Sequence, residues 1–314
     1  MNIDLHDRLR GVAVGATIGD ALGMPLEFGP AILPDRLLRT MQSGRLPAGA
    51  FTDDTEMALA LAESLLAHDP LDPADLAQRF VAWYRAGPAD IGGQTRLALR
   101  RIGCGEPWEA AVAAVQAENP LSAGNGSIMR CWPVALARWA DLDRLLADSR
   151  LQSQVTHPHP ECVAGCAFLN AAIYYLAHGV NPPQAVTQAL AQADLPDKLR
   201  QVVTAAPHKR RAELPNSGWV RHTLESAVWG LLTTDSFEEA LVQVVNLGND
   251  ADTAGAVVGA LAGATYGLDG IPAAWRAAVH GEWPLRSGQR WDVTRLIALA
   301  DRLTGSSTGA PELP

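Results

Sequence analysis

Two short runs of acids and threonines carry the residue types needed for chemistry. They are Thr52-Asp53-Asp54-Thr55-Glu56 and Asn249-Asp250-Ala251-Asp252-Thr253, about 200 residues apart, each leading into a very apolar stretch. In the first run, Asp53 as N-cap with Glu56 three residues on reads as a capping box, worth about 1 kcal/mol to the helix. One cap needs one acid, however. Adjacent carboxylates entering a buried helix repel each other unless a cation sits between them. In the second run, Asp250 and Asp252 can turn to one side of an extended entry, and Thr253 adds a hydroxyl. A calcium loop starting at Asp250 fails, because position five would be Ala254 and position twelve Leu261. If the two helix starts meet, their carboxylates and hydroxyls form an all-oxygen site. Such donors suit hard cations such as Mg²⁺ or Mn²⁺, not zinc.

Other polar residues stand in apolar surroundings and need partners. Asp20 and Glu27 punctuate GDALGMPLEF near the N-terminus. Ser122-Ala123-Gly124-Asn125-Gly126-Ser127 precedes IMRCWPVALA, and a Gly-rich turn ahead of a helix can aim N–H groups at an anion. An ordinary Asn-Gly loop explains that string equally well. His157, in Thr156-His157-Pro158-His159, reads as a cap or a satisfied loop residue. Asp90, in Gly87-Pro88-Ala89-Asp90-Ile91-Gly92, either caps a helix starting near Ile91 or holds a fork donor such as guanidinium. Lys209-Arg210-Arg211 reads as a solvated loop. The four cysteines, Cys104, Cys131, Cys162 and Cys166, lack C-x-x-C spacing and read as buried thiols of a reducing compartment.

Helices must position these groups. Strings such as EMALALAESLLAH (56–68) and DLDRLLADSRLQ (141–152) lack period-two alternation. Proline and glycine stops recur between them, leaving room for about a dozen or more helices. No fixed repeat and no Gly/Ser linker divides the chain. One compact all-α domain over 1–304 is expected, with 305–314 (GSSTGAPELP) a disordered tail. Gly255, Gly259 and Gly263 form a stripe that predicts close approach of a backbone or a ligand, and a well-packed core suffices to explain it. A net charge of -9 argues against nucleic-acid binding. No signal peptide and no run of about 18 apolar residues is seen, so a cytoplasmic protein off the membrane is expected.

Taken together, these strings resemble the ADP-ribosylglycohydrolase family. The matching pieces are GVAVGATIGDALGMPLEF (11–28), FTDDTEMALA (51–60), WYRAGPADIG (83–92), GNGSIMR (124–130), THPHPE (156–161) and NLGNDADTAGAVVGALAGATYG (246–267). The resemblance implies an orthogonal all-α helical bundle around a binuclear centre of two Mg²⁺ or Mn²⁺ ions. By family role, Thr52, Asp53, Asp54, Asp250, Asp252 and Thr253 are the ligands. Glu27 sits at the metal edge, and it or a metal-site Asp such as Asp252 is the general acid or base. Gly124, Asn125, Gly126 and Ser127 form the substrate cradle, with the diphosphate on Asn125 and Gly126 and His157 near the ribose. The adenine-stacking aromatic is left open, with Tyr266 a candidate. The implied reaction releases ADP-ribose from a mono-ADP-ribosylated protein by a monomeric enzyme. WYRAGPADIG is similar to the arginine-specific bacterial members, which makes Asp90 the expected guanidinium partner. A serine-linked substrate, or a non-catalytic crystallin-like relative, are the alternatives.

Overall fold

The computed structural model describes residues 3–306. Fifteen α-helices occur among them: α1 Leu5–Gly23, α2 Asp53–Ala67, α3 Pro73–Ala86, α4 Gly93–Gly103, α5 Trp108–Glu118, α6 Trp132–Ala137, α7 Leu142–Gln154, α8 Pro160–Ala177, α9 Pro182–Gln192, α10 Asp197–Ala205, α11 Val220–Thr233, α12 Phe237–Val245, α13 Ala251–Tyr266, α14 Ala273–Ala278 and α15 Val293–Leu303. Their starts follow the sequence. Pro73, Pro160 and Pro182 open helices at the first position, where a missing N–H costs nothing. Asp72, Asp141, Ser236 and Asp292 cap theirs with side-chain oxygens. The all-α expectation therefore holds, with one small addition. An antiparallel ribbon joins β1 His280–Glu282 to β2 Arg290–Asp292, and three-residue strands are too short to leave a period-two pattern.

The centre of the fold is the α1–α13 pair. Gly11, Gly15, Gly19 and Gly23 lie four apart on α1 and face Gly263, Gly259, Gly255 and Ala251 on α13, in antiparallel order. A Cβ at any of the seven glycines would run into the opposing main chain. The stripe on α13 thus reflects a backbone approach, and its partner stripe on α1 is the piece the sequence reading overlooked. This pairing brings the C-terminal end of α1 beside the N-terminal end of α13. Helices α8, α11 and α12 pack around α13, while α2, α6 and α15 pack against α1. One buried apolar cluster runs from Leu9 to Leu303.

Three peripheral expectations need comment. The Lys209–Arg211 loop braces the fold instead of being merely solvated. Lys209 pairs with buried Glu225, and Arg211 donates to the carbonyls of Ile32 and Gln243. Three cysteines are buried and free, whereas Cys104 is exposed. Gly305 and Ser306 close α15 through bonds to Arg302 and Asp301, and the rest of the expected tail lies outside the described residues. No described helix is long and apolar enough to cross a membrane.

Candidate active site

The start of α2 is anchored by a residue from α1. Asp20 is fully buried, and its carboxylate accepts the N–H groups of Thr52 and Thr55 at 3.0 and 3.2 Å and their hydroxyls at 2.8 and 2.6 Å. Thr52, not Asp53, is the N-cap residue, and its side chain makes no cap bond. Glu56 does not turn back to complete a capping box. Its Oε2 instead accepts the Trp83 indole N–H at 2.7 Å. The capping-box reading therefore fails, because Asp20 supplies from outside what an in-line cap would supply. Asp53 and Asp54 are left free of capping duty. Because Thr52 donates its proton to Asp20, its oxygen lone pairs remain available.

The start of α13 is held differently. Phe28 N–H donates to the Asn249 carbonyl at 2.6 Å, and Asn249 N–H returns to Gly29 at 2.7 Å. Phe28 and Asn249 both sit at positive φ, 60° and 55°, a conformation that costs an ordinary side chain energy and persists only where surroundings impose it. The clamp fixes Glu27 beside the second acid run. Asn216 donates to the carbonyls of Gly248 and Asp250, and Asn125 Nδ2 donates to Asp250 Oδ2 at 2.7 Å. Asp252 Oδ1 accepts Thr253 N–H at 2.9 Å.

The two runs converge. Thr253 Oγ1 donates to Asp54 Oδ1 at 3.4 Å, and carboxylate oxygens of Glu27, Asp250 and Asp252 lie within 4.8 Å of one another. Burial drives the carboxylate pKa values up, and mutual repulsion adds to it. Asp53 and Asp54 stand well above the ordinary range, Asp250 is pushed to about 7 and Asp252 to about 6. Asp54 Oδ2 is buried with no hydrogen-bond partner. So many acids in so little water require a cation. One is supplied by the chain itself: Arg45 forms an ion pair with Glu27 and reaches Asp90 Oδ2 at 3.0 Å and Asp252 Oδ2 at 3.3 Å.

Asp90 is thus part of the cluster. It also accepts Ile91 N–H, but α4 starts at Gly93 with Gly92 at its N-cap, so helix capping does not account for Asp90. The Gly-rich turn lies on the Asp250 side. Its link to a helix dipole is weaker than the sequence suggests, because a turn over Gly126–Arg130 intervenes before α6. Asn125 is occupied on both faces: its N–H donates to Gly218, and its amide bonds Asp250 and Thr223. The Ser127 hydroxyl is buried against Ser153. Among the described residues, the N–H groups of Gly126 and Ser127 donate to no protein acceptor.

His157 stands behind this turn and is almost fully buried. Arg130 Nη2 donates to Thr156 Oγ1 at 2.8 Å, and the same hydroxyl is hydrogen-bonded to His157 Nδ1, also at 2.8 Å. The Nε2 edge of the ring faces Gly124 and Gly126. Burial, with Arg130 nearby, lowers the His157 pKa to about 3. The imidazole is therefore uncharged at neutral pH.

Tyr266 does not belong here. It ends α13, about 20 Å of helix from Thr253, and its hydroxyl bonds Thr234. The aromatic beside the turn is Trp219, 38% exposed, bridged through its main chain to Gly124 and covered on one face by Arg221. Sequence reasoning missed Trp219, Arg45 and Asn216, which lie in loops without periodicity. Arg130 carried a signal, as a charge inside the apolar string IMRCWPVALA.

Known proteins resemble this chain in sequence and in fold. The chain is 38% identical to the ADP-ribosylarginine hydrolase Tri1 of Serratia proteamaculans, over 86% of this chain and 74% of that protein. It is 35% identical to the ADP-ribosyl-[dinitrogen reductase] glycohydrolase of Rhodospirillum rubrum, over 94% and 97%. The ADP-ribosylhydrolase ARH3 of Homo sapiens is 26% identical over 87% and 89%. A solved structure described as an ADP-ribosylglycohydrolase-related protein complex superposes with a TM-score of 0.80 at 36% identity, covering 97% of this chain and 99% of that one. The ADP-ribosylglycohydrolase pattern itself matches residues 1–312, and the chain belongs to that family.

Proposed function

We propose that this protein hydrolyses the N-glycosidic bond between ADP-ribose and the arginine side chains of mono-ADP-ribosylated proteins. The observation that carries the arginine linkage is Arg45. Its guanidinium reaches Glu27, Asp90 and Asp252 together, so these oxygens are spaced for a planar fork donor. The leaving arginine takes up Asp90 once Arg45 swings aside. The name of the Tri1 relative, an ADP-ribosylarginine hydrolase, supports the arginine linkage, and that of the dinitrogen reductase relative supports action on an ADP-ribosylated protein.

Thr52, Asp53, Asp54, Asp250, Asp252 and Thr253 hold two Mg²⁺ or Mn²⁺ ions in this reading. The fit rests on the partnerless buried oxygen of Asp54, the all-oxygen donor set and the upward shifts of the carboxylates. Held by these residues, such ions would supply Lewis-acid activation of the ribose for attack by water. The N–H groups of Gly126 and Ser127, with His157 behind them, receive the diphosphate and ribose oxygens. Trp219, and not Tyr266, stacks the adenine. Glu27 takes the proton of the attacking water. The C–N electron pair leaves with the guanidinium, which is already cationic and needs no acid. Glu27 then returns its proton to the neutral guanidine.

The test is ADP-ribose release from arginine-, serine- and cysteine-linked substrates, with and without Mg²⁺ or Mn²⁺. Metal-dependent release from the arginine conjugate is expected. Efficient release from the serine conjugate alone overturns the assignment.

A further inference from the structure

A cavity of about 570 Å³ opens beside the acid cluster and has no role in the reading above. Phe51, Glu56, Gly87, Ala89, His280 and Glu282 are among its lining residues. It adjoins the Asp53 side of the site, since Phe51 precedes Thr52 and Gly87 and Ala89 belong to the Asp90 loop. The Gly-rich turn is tied to Asp250 through Asn125, and its Gly126 also abuts Thr95 of α4.

With Asp90 taking the guanidinium, the protein end of the substrate emerges where Gly87 and Ala89 of the same loop line the cavity. The cavity wall suits a cation at its inner end. Glu56 lines the cavity, and only its Oε2 is bound, to Trp83. Its other oxygen accepts no hydrogen bond from the protein and is open to a donor entering the cavity. Glu282, bound to Gly288 N–H, adds a second acid, whereas Arg286 and Arg290 are exposed at the rim.

We propose that this cavity is the leaving-group subsite, receiving the arginine side chain and adjoining backbone of the modified protein, with Glu56 Oε1 accepting from the guanidinium. The proposal rests on the arginine-hydrolase reading and extends it past Asp90. It separates recognition of the protein end of the substrate from recognition of ADP-ribose.

Two variants test it with an ADP-ribosylated arginine peptide in Mn²⁺. Glu56→Gln keeps an acceptor for Trp83 but removes the charge, and should raise KM about tenfold with kcat nearly unchanged. Ala89→Trp, at an exposed loop position, should fill the cavity and lower kcat/KM by about tenfold or more. ADP-ribose affinity by calorimetry should match the wild type in both, which also reports that each variant is folded. If both variants keep KM and kcat/KM within about twofold while the wild type cleaves the peptide, the subsite is refuted and the hydrolase reading stands. If the wild type releases nothing from the arginine linkage, the hydrolase reading fails and the subsite falls with it.

Discussion

The two helix entrances that build the site solve one problem in opposite ways. At α2, one buried carboxylate, Asp20, gathers four donors, so that Asp53 and Asp54 are left free and Asp54 meets Thr253 of α13. At α13, neutral amides do the holding: Asn216 and Asn125 from neighbouring loops, and the reciprocal Phe28–Asn249 clamp. Both entrances carry acids, and both adjoin the glycine-locked α1–α13 pair. What differs is the holding group: one multiply bonded buried carboxylate at α2, the stiffer device, and loop amides with positive-φ backbone at α13, the more adjustable one.

The largest effect is expected from Asp252→Asn. Asp252 lies inside the first turn of α13, whose N-cap position is Asp250, and asparagine can still accept the Thr253 N–H, so α13 should remain intact. Metal-dependent turnover should drop to background. Metal-free stability should rise, because one of several mutually repelling buried carboxylates is gone. Wild-type activity in this variant would remove Asp252 from the mechanism, and reduced metal-free stability would mean that the Arg45 contact outweighs the repulsion.

The same repulsion makes stability depend on pH. An unfolded aspartate titrates near 3.9. In the folded chain, burial and neighbouring charge hold Asp252 at about 6 and Asp250 at about 7. Between these limits the folded state keeps protons that the unfolded state has released, so stability falls as pH rises. With a chelator present, thermal unfolding should occur at higher temperature near about pH 5 than near about pH 8. Saturating Mn²⁺ should reverse the order, because the cation replaces the protons. A flat metal-free profile would show that Arg45 already neutralises the cluster.

Much of this was legible in the sequence, for definite reasons. Helices were readable from period and stops, and the two acid runs from the conflict between adjacent charges and apolar flanks. The α13 glycine stripe was visible, and its α1 partner followed the same spacing in GVAVGATIGDALG without being used. What stayed hidden was long-range. Nothing local tells that Asp20 caps a helix 32 residues away, or that Trp83 takes Glu56 from a capping box. Arg45, Asn216 and Trp219 sit in loops where no periodic signal distinguishes a functional side chain from a solvated one. Tyr266 failed because an aromatic at the end of a helix says nothing about which end of the helix meets the site.

The smallest effects should separate the two anchors most cleanly. Asp20→Ala strips acceptors from two N–H groups and two hydroxyls in a fully buried place. Each donor left without a partner costs about 1–3 kcal/mol, so even partial rescue by water leaves a loss of several kcal/mol. That loss should appear with and without metal, because it belongs to the fold. Asn216→Ala removes donors to the carbonyls of Gly248 and Asp250, and carbonyls at a loop edge recover water more readily. A cost of about 1 kcal/mol is expected. Its signature should instead lie in function: with the α13 entrance loosened, Mn²⁺ affinity should fall by about tenfold or more, as is usual when groups that orient ligands are removed. Thermal unfolding and Mn²⁺ titration of both variants measure the contrast. If Asn216→Ala destabilises the chain as much as Asp20→Ala does, or leaves Mn²⁺ affinity untouched, the division between a stiff and an adjustable entrance is wrong.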